Sequence, residues 1–271
     1  MNRISFPADD GIECRLCSGA TSYLFSARLL GTKVNYYECV QCDLVQTEKP
    51  NWINKAYESP INIGDTGIVK RAKFCRDIII VSAFILNVKG GEIVDAGGGT
   101  GLLVRMCRDL GLNAFWQDKF CHNIFANGFE VNESQFPVKI ISAFEVIEHF
   151  DEPEKQLAEL FEKAENVLLS THLIPSPAPM PNKWWYYGLD HGQHIAFFRT
   201  STLNYLAKKY GFYLISDGKS IHLFSQKKIN KVLWLFCIKT KHILVPFLSF
   251  FMKGKTESDS QYLTQGKKDG S

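Results

Sequence analysis

The sequence predicts an α/β protein: a mostly parallel sheet flanked by helices, with a small metal-binding module near its N-terminal end. Three observations point there. Ile93-Val94-Asp95 is a short apolar strand ending in an acid, and it runs through Ala96-Gly97-Gly98-Gly99-Thr100-Gly101 into an amphipathic stretch beginning Leu102-Leu103. Strand-like and helix-like segments then alternate as far as Gln226, the pattern of parallel strands joined by crossover helices. Two Cys-x-x-Cys pairs, Cys14/Cys17 and Cys39/Cys42, precede this region.

Length and composition set the bounds. A chain of 271 residues holds one full α/β domain and a small appendage. Its 45% hydrophobic and 13% aromatic content allow a sizeable core and exclude a disordered class. Met1 to Gly11 is polar and lacks the apolar run of a secretory signal, so a reducing, cytoplasmic compartment is expected. Seven of the 31 Lys and Arg fall between Gln226 and Lys255, a stretch without acid, so the rest of the chain, holding all 28 acids, is mildly acidic. A general nucleic-acid surface is therefore not expected.

Residues 1–50 read as the metal module. Two such knuckles place four thiolates around one tetrahedral ion, and zinc is the expected metal. All four positions would be protein ligands, so the ion is structural. Four unrelated thiols are the plainer alternative. Tyr23, Phe25, Val34, Tyr36 and Tyr37 between the pairs predict short hairpin strands. Cys75, Cys107, Cys121 and Cys237 lack ligand spacing and read as small apolar residues.

Residues 51–89 form a connector, with Trp52, Tyr57 and an Asp65-Thr66-Gly67 turn, and then a helix over Arg71–Val88 covering the site. That helix places Phe74, Ile78, Val81, Phe84 and Ile85 on one face. The main domain spans 90–228. After the glycine turn come a helix to Leu110 closed by Gly111, a strand over Asn113–Gln117 ending at Asp118, and a weakly patterned stretch from Phe120 to Phe136. A strand over Lys139–Phe144, a helix over Glu154–Ala164 and a strand over Asn166–Ser170 follow. Beyond a proline-rich loop, a helix over Ser201–Tyr210 capped by Gly211 leads to a hairpin around Asp217-Gly218.

The glycine spacing selects the cofactor. A dinucleotide fingerprint needs Gly-x-Gly-x-x-Gly, but Leu102 stands where its third glycine belongs, which disfavours a nicotinamide. A purely structural turn is the other alternative, and the strand, acid and helix around the glycines argue against it. Asp95-x-Gly97-x-Gly99-x-Gly101 resembles the first motif of the class I S-adenosylmethionine-dependent methyltransferases. The resemblance implies a Rossmann-like, mostly parallel seven-stranded sheet whose final strand runs antiparallel. It also implies S-adenosylmethionine as cofactor, held by Asp95, Gly97, Gly98, Gly99 and Gly101. Asp118 lies about twenty residues beyond the loop, where an acid accepts hydrogen bonds from ribose hydroxyls; a turn aspartate is its alternative reading.

Glu145-Val146-Ile147-Glu148-His149, followed by Asp151-Glu152-Pro153, resembles the post-strand motif of the same enzymes, though Lys139 departs from the family's usual acid. By that resemblance Glu145 and its neighbours line the methionine end of the cofactor. The proline run Pro175 to Pro181, then Trp184-Trp185-Tyr186-Tyr187 and His191-Gly192-Gln193-His194, looks like the branch typical of sugar and surface-polysaccharide pathways. The implied acceptor is a saccharide or nucleotide-linked sugar, methylated at oxygen. Such an acceptor needs a base, and His194 is the first candidate, ahead of His191, His149 and His172; each can equally be a hydrogen-bonded structural residue. No pattern calls for a catalytic metal or a covalent nucleophile. A non-catalytic scaffold with the same fold and zinc module is the competing function.

Residues 229–252 alternate apolar and basic segments. Neither Val232–Ile238 nor Ile243–Met252 is long enough to span a membrane, so a helix packed on the domain or on a partner subunit, or lying on an anionic membrane surface, is expected, the last placing the protein at the inner face of the membrane. Residues 253–271 are polar and expected to be unstructured.

Overall fold

The computed structural model describes residues 11–56, 66–88 and 90–265. Tyr57 and Asp65 of the connector and residues 266–271 of the tail lie outside them. In chain order the elements are β1 (Thr21–Leu29), β2 (Thr32–Cys39), β3 (Val45–Thr47), α1 (Ile53–Ala56), α2 (Ile68–Ile85), β4 (Glu92–Ala96), α3 (Leu102–Asp109), β5 (Asn113–Gln117) and β6 (Ile140–Phe144). There follow α4 (Pro153–Glu162), β7 (Asn166–Ser170), β8 (Ala196–Phe197), α5 (Thr200–Tyr210), β9 (Tyr213–Ser216), β10 (Ile221–Ser225), α6 (Lys231–Lys239), α7 (Lys241–Ser249) and α8 (Thr256–Gln265).

The central sheet has the order β5-β4-β6-β7-β10-β9. The first four strands run parallel, and β10 lies antiparallel to both β7 and β9. Parallel strands covered on both faces need apolar residues throughout, and all five residues of β7 are buried accordingly. Among the described residues the sheet has six strands, not the seven expected. The missing strand is reduced to a parallel bridge between Trp116 and Glu130 on the open side of β5. Trp116 N–H donates to the Phe129 carbonyl and Val131 N–H to that of Trp116 at 2.8 and 2.9 Å. The cis peptide before Pro137 follows soon after, in the same weakly patterned stretch.

The second sheet, β1-β2-β3-β8, starts as the expected hairpin, with Tyr23 opposite Tyr37. Its fourth strand comes from far along the chain: Val45 pairs with Phe197 and Gln46 with Ala196. The N-terminal module is thus completed by the main domain.

Two helical expectations are corrected. In α2 the buried run is continuous from Asp77 to Ala83, while Phe74 and Phe84 are exposed, so no single apolar face exists. The cause is that α6 and α7 cover the side away from the sheet; the Trp234 indole N–H donates to Ser82 Oγ at 3.1 Å. The polar tail also contains a helix, α8, where no structure was expected. Asp259 anchors it: buried Arg108 donates two hydrogen bonds to its carboxylate at 2.8 and 2.6 Å, and Arg105 adds one at 2.8 Å. One buried, bidentate ion pair outweighs the absence of apolar periodicity.

Candidate functional site

β4 ends in the middle of the sheet, flanked by two parallel neighbours, so the glycine loop opens at the carboxyl edge where α/β proteins bind ligands. Gly97 and Gly99 both adopt left-handed backbone, with φ of +71° and +54°. A Cβ on Gly97 would meet Val146 Cγ2 at 2.6 Å, so the loop presses on the Glu145–His149 segment. A Cβ on Gly99 would meet nothing within 4 Å: this turn faces open space. Gly98 packs against Trp116, and Gly101 leads into α3.

Asp118 closes this cradle. Its Oδ2 accepts from Gly99 N–H at 2.8 Å, and its Oδ1 accepts from Phe120 and Cys121 N–H at 2.7 and 2.9 Å. It is a turn aspartate that also touches the glycine loop. Trp116, missed in the sequence, donates its indole N–H to the Gly99 carbonyl at 2.9 Å. Asp95 is buried beneath the loop and accepts from Ser142 Oγ at 2.8 Å. Burial pushes its carboxyl up to about 7; Ser142 opposes the shift and the Asp118 charge adds to it. Cys75 places α2 beside the same groups, its thiol raised to about 12 by burial and by the charges of Asp95 and Glu145.

Next to the loop stands a cluster of acids and imidazoles. Glu145 has left-handed backbone, φ +54°, a strained conformation for a side-chain-bearing residue. It is held by Ser170, whose carbonyl and Oγ accept from Glu145 N–H at 3.1 and 2.9 Å and whose hydroxyl donates to Oε1 at 2.7 Å. The Tyr186 hydroxyl lies 3.0 Å from Glu145 Oε2 and 2.5 Å from Oε1 of the fully buried Glu148. Burial, then the Glu145 charge, raise the Glu148 carboxyl well above its usual range.

The histidines differ in what they can do. His194 Nδ1 lies 2.7 Å from the Tyr186 carbonyl, an acceptor only, so Nδ1 carries the proton and Nε2 keeps its lone pair. His191 Nδ1 accepts from Gln193 N–H at 3.2 Å, which puts its proton on Nε2. Of these two, His194 alone has its Nε2 available as a base. Burial lowers both, His194 to about 4, and lowers His149 well below the usual value, with the His194 and His191 charges adding to the last. The His149 and His194 rings meet edge to face at 4.8 Å, and His172 sits 4.8 Å from the Tyr186 ring.

The aromatic loop divides. Tyr186 joins the acid cluster, while Tyr187 enters a core with Phe25, Tyr36 and Phe197 and donates to the Pro179 carbonyl at 2.8 Å. Trp184 packs on Tyr187 and Phe197, and Trp185 is 73% exposed over His172. Trp184, Trp185, Leu189, Asp190 and His191 line an outward-facing hollow. Gln193 Nε2 donates to the Ala56 carbonyl at 2.9 Å, fastening the loop to α1.

Cys14, Cys17, Cys39 and Cys42 converge, their sulfurs all within 4.8 Å of one another. The pairs Cys14–Cys42 and Cys17–Cys39 stand at 3.7 and 3.4 Å, against about 3.8 Å between thiolates on a tetrahedral zinc. Backbone N–H groups of Leu16, Gln41 and Cys42 point at sulfurs of Cys14 and Cys39, which supports thiolates there. The four residues fit a zinc ion. Arg15 ties this knuckle to the site, donating to the carbonyls of Ile195 at 2.6 Å and Asp151 at 3.2 Å.

Glu148 and Ser170 were not singled out as site residues by sequence, and Tyr186 was expected in the substrate loop rather than in the acid cluster. The Glu-x-x-Glu-His spacing on one turn carries the signal for the first of them. The Tyr186 bond, spanning 38 residues, has no local signal.

A family model described as a methyltransferase domain matches residues 70–217, more than half of the chain. The chain belongs to this methyltransferase family. No curated protein matches it. Among solved structures it is similar to a methyltransferase of calicheamicin biosynthesis in its SAH-bound form, at 12% identity and TM-score 0.37, covering 55% of this chain and 54% of that one. It is also similar to an O-methyltransferase family protein from Burkholderia thailandensis, at 10% identity and TM-score 0.40, with 56% and 55% covered. A magnesium protoporphyrin IX methyltransferase from Synechocystis PCC 6803, bound to SAH, gives 13%, 0.41, and 64% and 92%. The chain thus spans about half the length of the first two. The methyltransferase match includes β4 through β9, and so the glycine loop, Asp118 and the Glu145–His149 turn.

Proposed function

We propose that this protein is an S-adenosylmethionine-dependent methyltransferase acting on a hydroxyl of a saccharide or nucleotide-linked sugar in glycan biosynthesis. The observation that carries the cofactor reading is the cradle at Gly99, where a left-handed turn faces open space between Asp95 and Asp118. The cofactor supplies a methyl group on a positively charged sulfur. The protein's part is to position donor and acceptor and to take up a proton. Asp95 and Glu145 supply negative charge beside the loop, and His194 Nε2 is the group suited to accept the acceptor's proton. The sugar assignment rests on the aromatic-histidine loop, whose exposed Trp185 offers a flat apolar surface. The four cysteines would hold one structural zinc.

Titration calorimetry with S-adenosylmethionine and S-adenosylhomocysteine tests the cofactor: micromolar binding by the intact protein, lost in Asp95→Ala, is expected, and no binding by folded protein overturns it. Labelled donor with a panel of nucleotide sugars and glycans tests the acceptor; label on protein or RNA alone overturns the sugar class.

We also infer contact with an anionic membrane surface. Among the described residues no single helix is long and apolar enough to cross a membrane, and α6 and α7 are bent by 85°. Their inner sides pack on α2, while Leu233, Phe236, Ile243, Phe247, Phe250 and Phe251 are exposed among lysines. That combination fits an interfacial helix pair. Co-sedimentation with phosphatidylserine vesicles but not neutral ones is expected, and equal failure with both overturns the contact.

A further inference from the structure

We propose that Glu148, His149 and His194 form a binding site for a divalent first-row transition-metal ion. One ligand atom of each lies within 4.8 Å of the other two. The three come from two segments far apart in the chain. Glu148 and His149 stand on the turn after β6 and His194 just before β8, and Ile195 N–H donates to the Glu148 carbonyl at 2.9 Å to hold them together.

Three features make this more than a coincidence of side chains. Glu148 is wholly buried, yet its Oε2 meets no hydrogen-bond partner among the described residues. A buried carboxylate oxygen left bare is costly unless a cation or proton satisfies it. Secondly, the Tyr186 hydroxyl is within reach of both Glu145 and Glu148 but has a single proton to donate. Ser170 and Thr171 supply further donors to Glu145 and Glu148, but Glu148 Oε2 still keeps a bare lone pair that a cation would satisfy. Thirdly, the Tyr186 carbonyl fixes the His194 tautomer with the lone pair on Nε2, as outer hydrogen bonds do for metal-bound imidazoles. Tyr186 therefore holds two of the three ligands, one by its hydroxyl and one by its backbone.

Two imidazole nitrogens and one carboxylate oxygen suit Mn2+, Fe2+, Co2+ or Zn2+ better than Mg2+ or Ca2+. Three protein ligands leave coordination positions open, as in sites that bind an exchangeable oxygen ligand. The site itself rests on its geometry. Its use, to bind and acidify an acceptor hydroxyl, rests on the methyl-transfer reading. His194 and His149 would then be ligands, and the proton would leave from an oxygen already made acidic by the ion.

The test uses the full-length protein carrying zinc on its four cysteines, so that the thiolates are filled. Titration with Mn2+, followed by loss of the free-ion electron paramagnetic resonance signal, should show one additional ion per chain. Glu148→Gln and His194→Gln should each weaken it about 100-fold, and Tyr186→Phe, which removes a positioning hydroxyl, about 10-fold. Circular dichroism and an unchanged zinc content establish that the variants are folded. Folded wild-type protein that takes up no further Mn2+, Co2+ or Zn2+, or variants that bind as tightly as wild type, overturn the site. Calorimetry with S-adenosylmethionine is run alongside: ion binding without cofactor binding upholds the site and overturns methyl transfer instead.

Discussion

Asp95 stands next to last in the strand that leads into the glycine loop. Burial beneath the glycine loop, against β6, raises its carboxyl to about 7, far above its unfolded value near 3.9. Its contribution to stability is thus full below the ordinary carboxylate range and declines as pH rises through about 7. A sulfonium bound over the loop would favour the ionised form. Cofactor binding near pH 6.5 should therefore release protons, seen as a calorimetric enthalpy that changes with the buffer's ionisation heat. The release should fade above about pH 8 and vanish in Asp95→Asn. Glu145 makes the complementary point: its strained backbone is held by Ser170, and such strain gathers where function over-determines geometry.

Among the elements, the glycine turn was legible because its chemistry is local: positive φ requires glycine, and a strand, turn and helix in succession need no distant partner. The β1–β2 hairpin and the β9–β10 hairpin were readable for the same reason, with Asp217 Oδ1 accepting three backbone N–H groups at its turn. Helix α2 was misjudged because what covers its second side lies at the far end of the chain. Helix α8 was missed because its stability comes from two arginines on α3. Burial opposes ionisation of Asp259, but the hydrogen bonds and charges of Arg108 and Arg105 prevail and lower its pKa. Docking of α8 is therefore at full strength above the usual carboxylate range and is lost as pH falls through the depressed value. Hydrogen exchange should show α8 amides opening at acid pH while β4 and β7 remain protected. Asp259→Asn should open them at neutral pH as well.

At the scale of the whole molecule, the parallel arrangement of the strands followed from alternating patterns, whereas the union of the two sheets did not. Val45–Phe197 pairing joins segments that share no sequence signal. The acid-imidazole cluster was only partly visible for the same reason, since Glu148 and His149 come from one turn and His194 from another. This union ties the four-cysteine module to the site through Arg15 and β8. Treatment with a chelator, to strip the proposed zinc, or Cys17→Ser should therefore weaken more than residues 11–50. Proteolysis should reach the 175–195 loop, and cofactor binding should fall together with β1–β3 protection. Loss confined to the N-terminal hairpin would contradict that coupling.

The same pairing governs the order in which the chain can be completed during synthesis. The cysteine knuckles and β1–β3 leave the ribosome first, but β3 then presents an unpaired edge until Phe197 has been made. For that interval the nascent hairpin carries an open strand next to the aromatic residues Phe25 and Tyr36, whose cover also arrives late. Exposed edges of this kind recruit other chains. A product terminated before Ala196 should therefore aggregate, which makes β8, two residues long, the latch that turns a sticky intermediate into a closed protein.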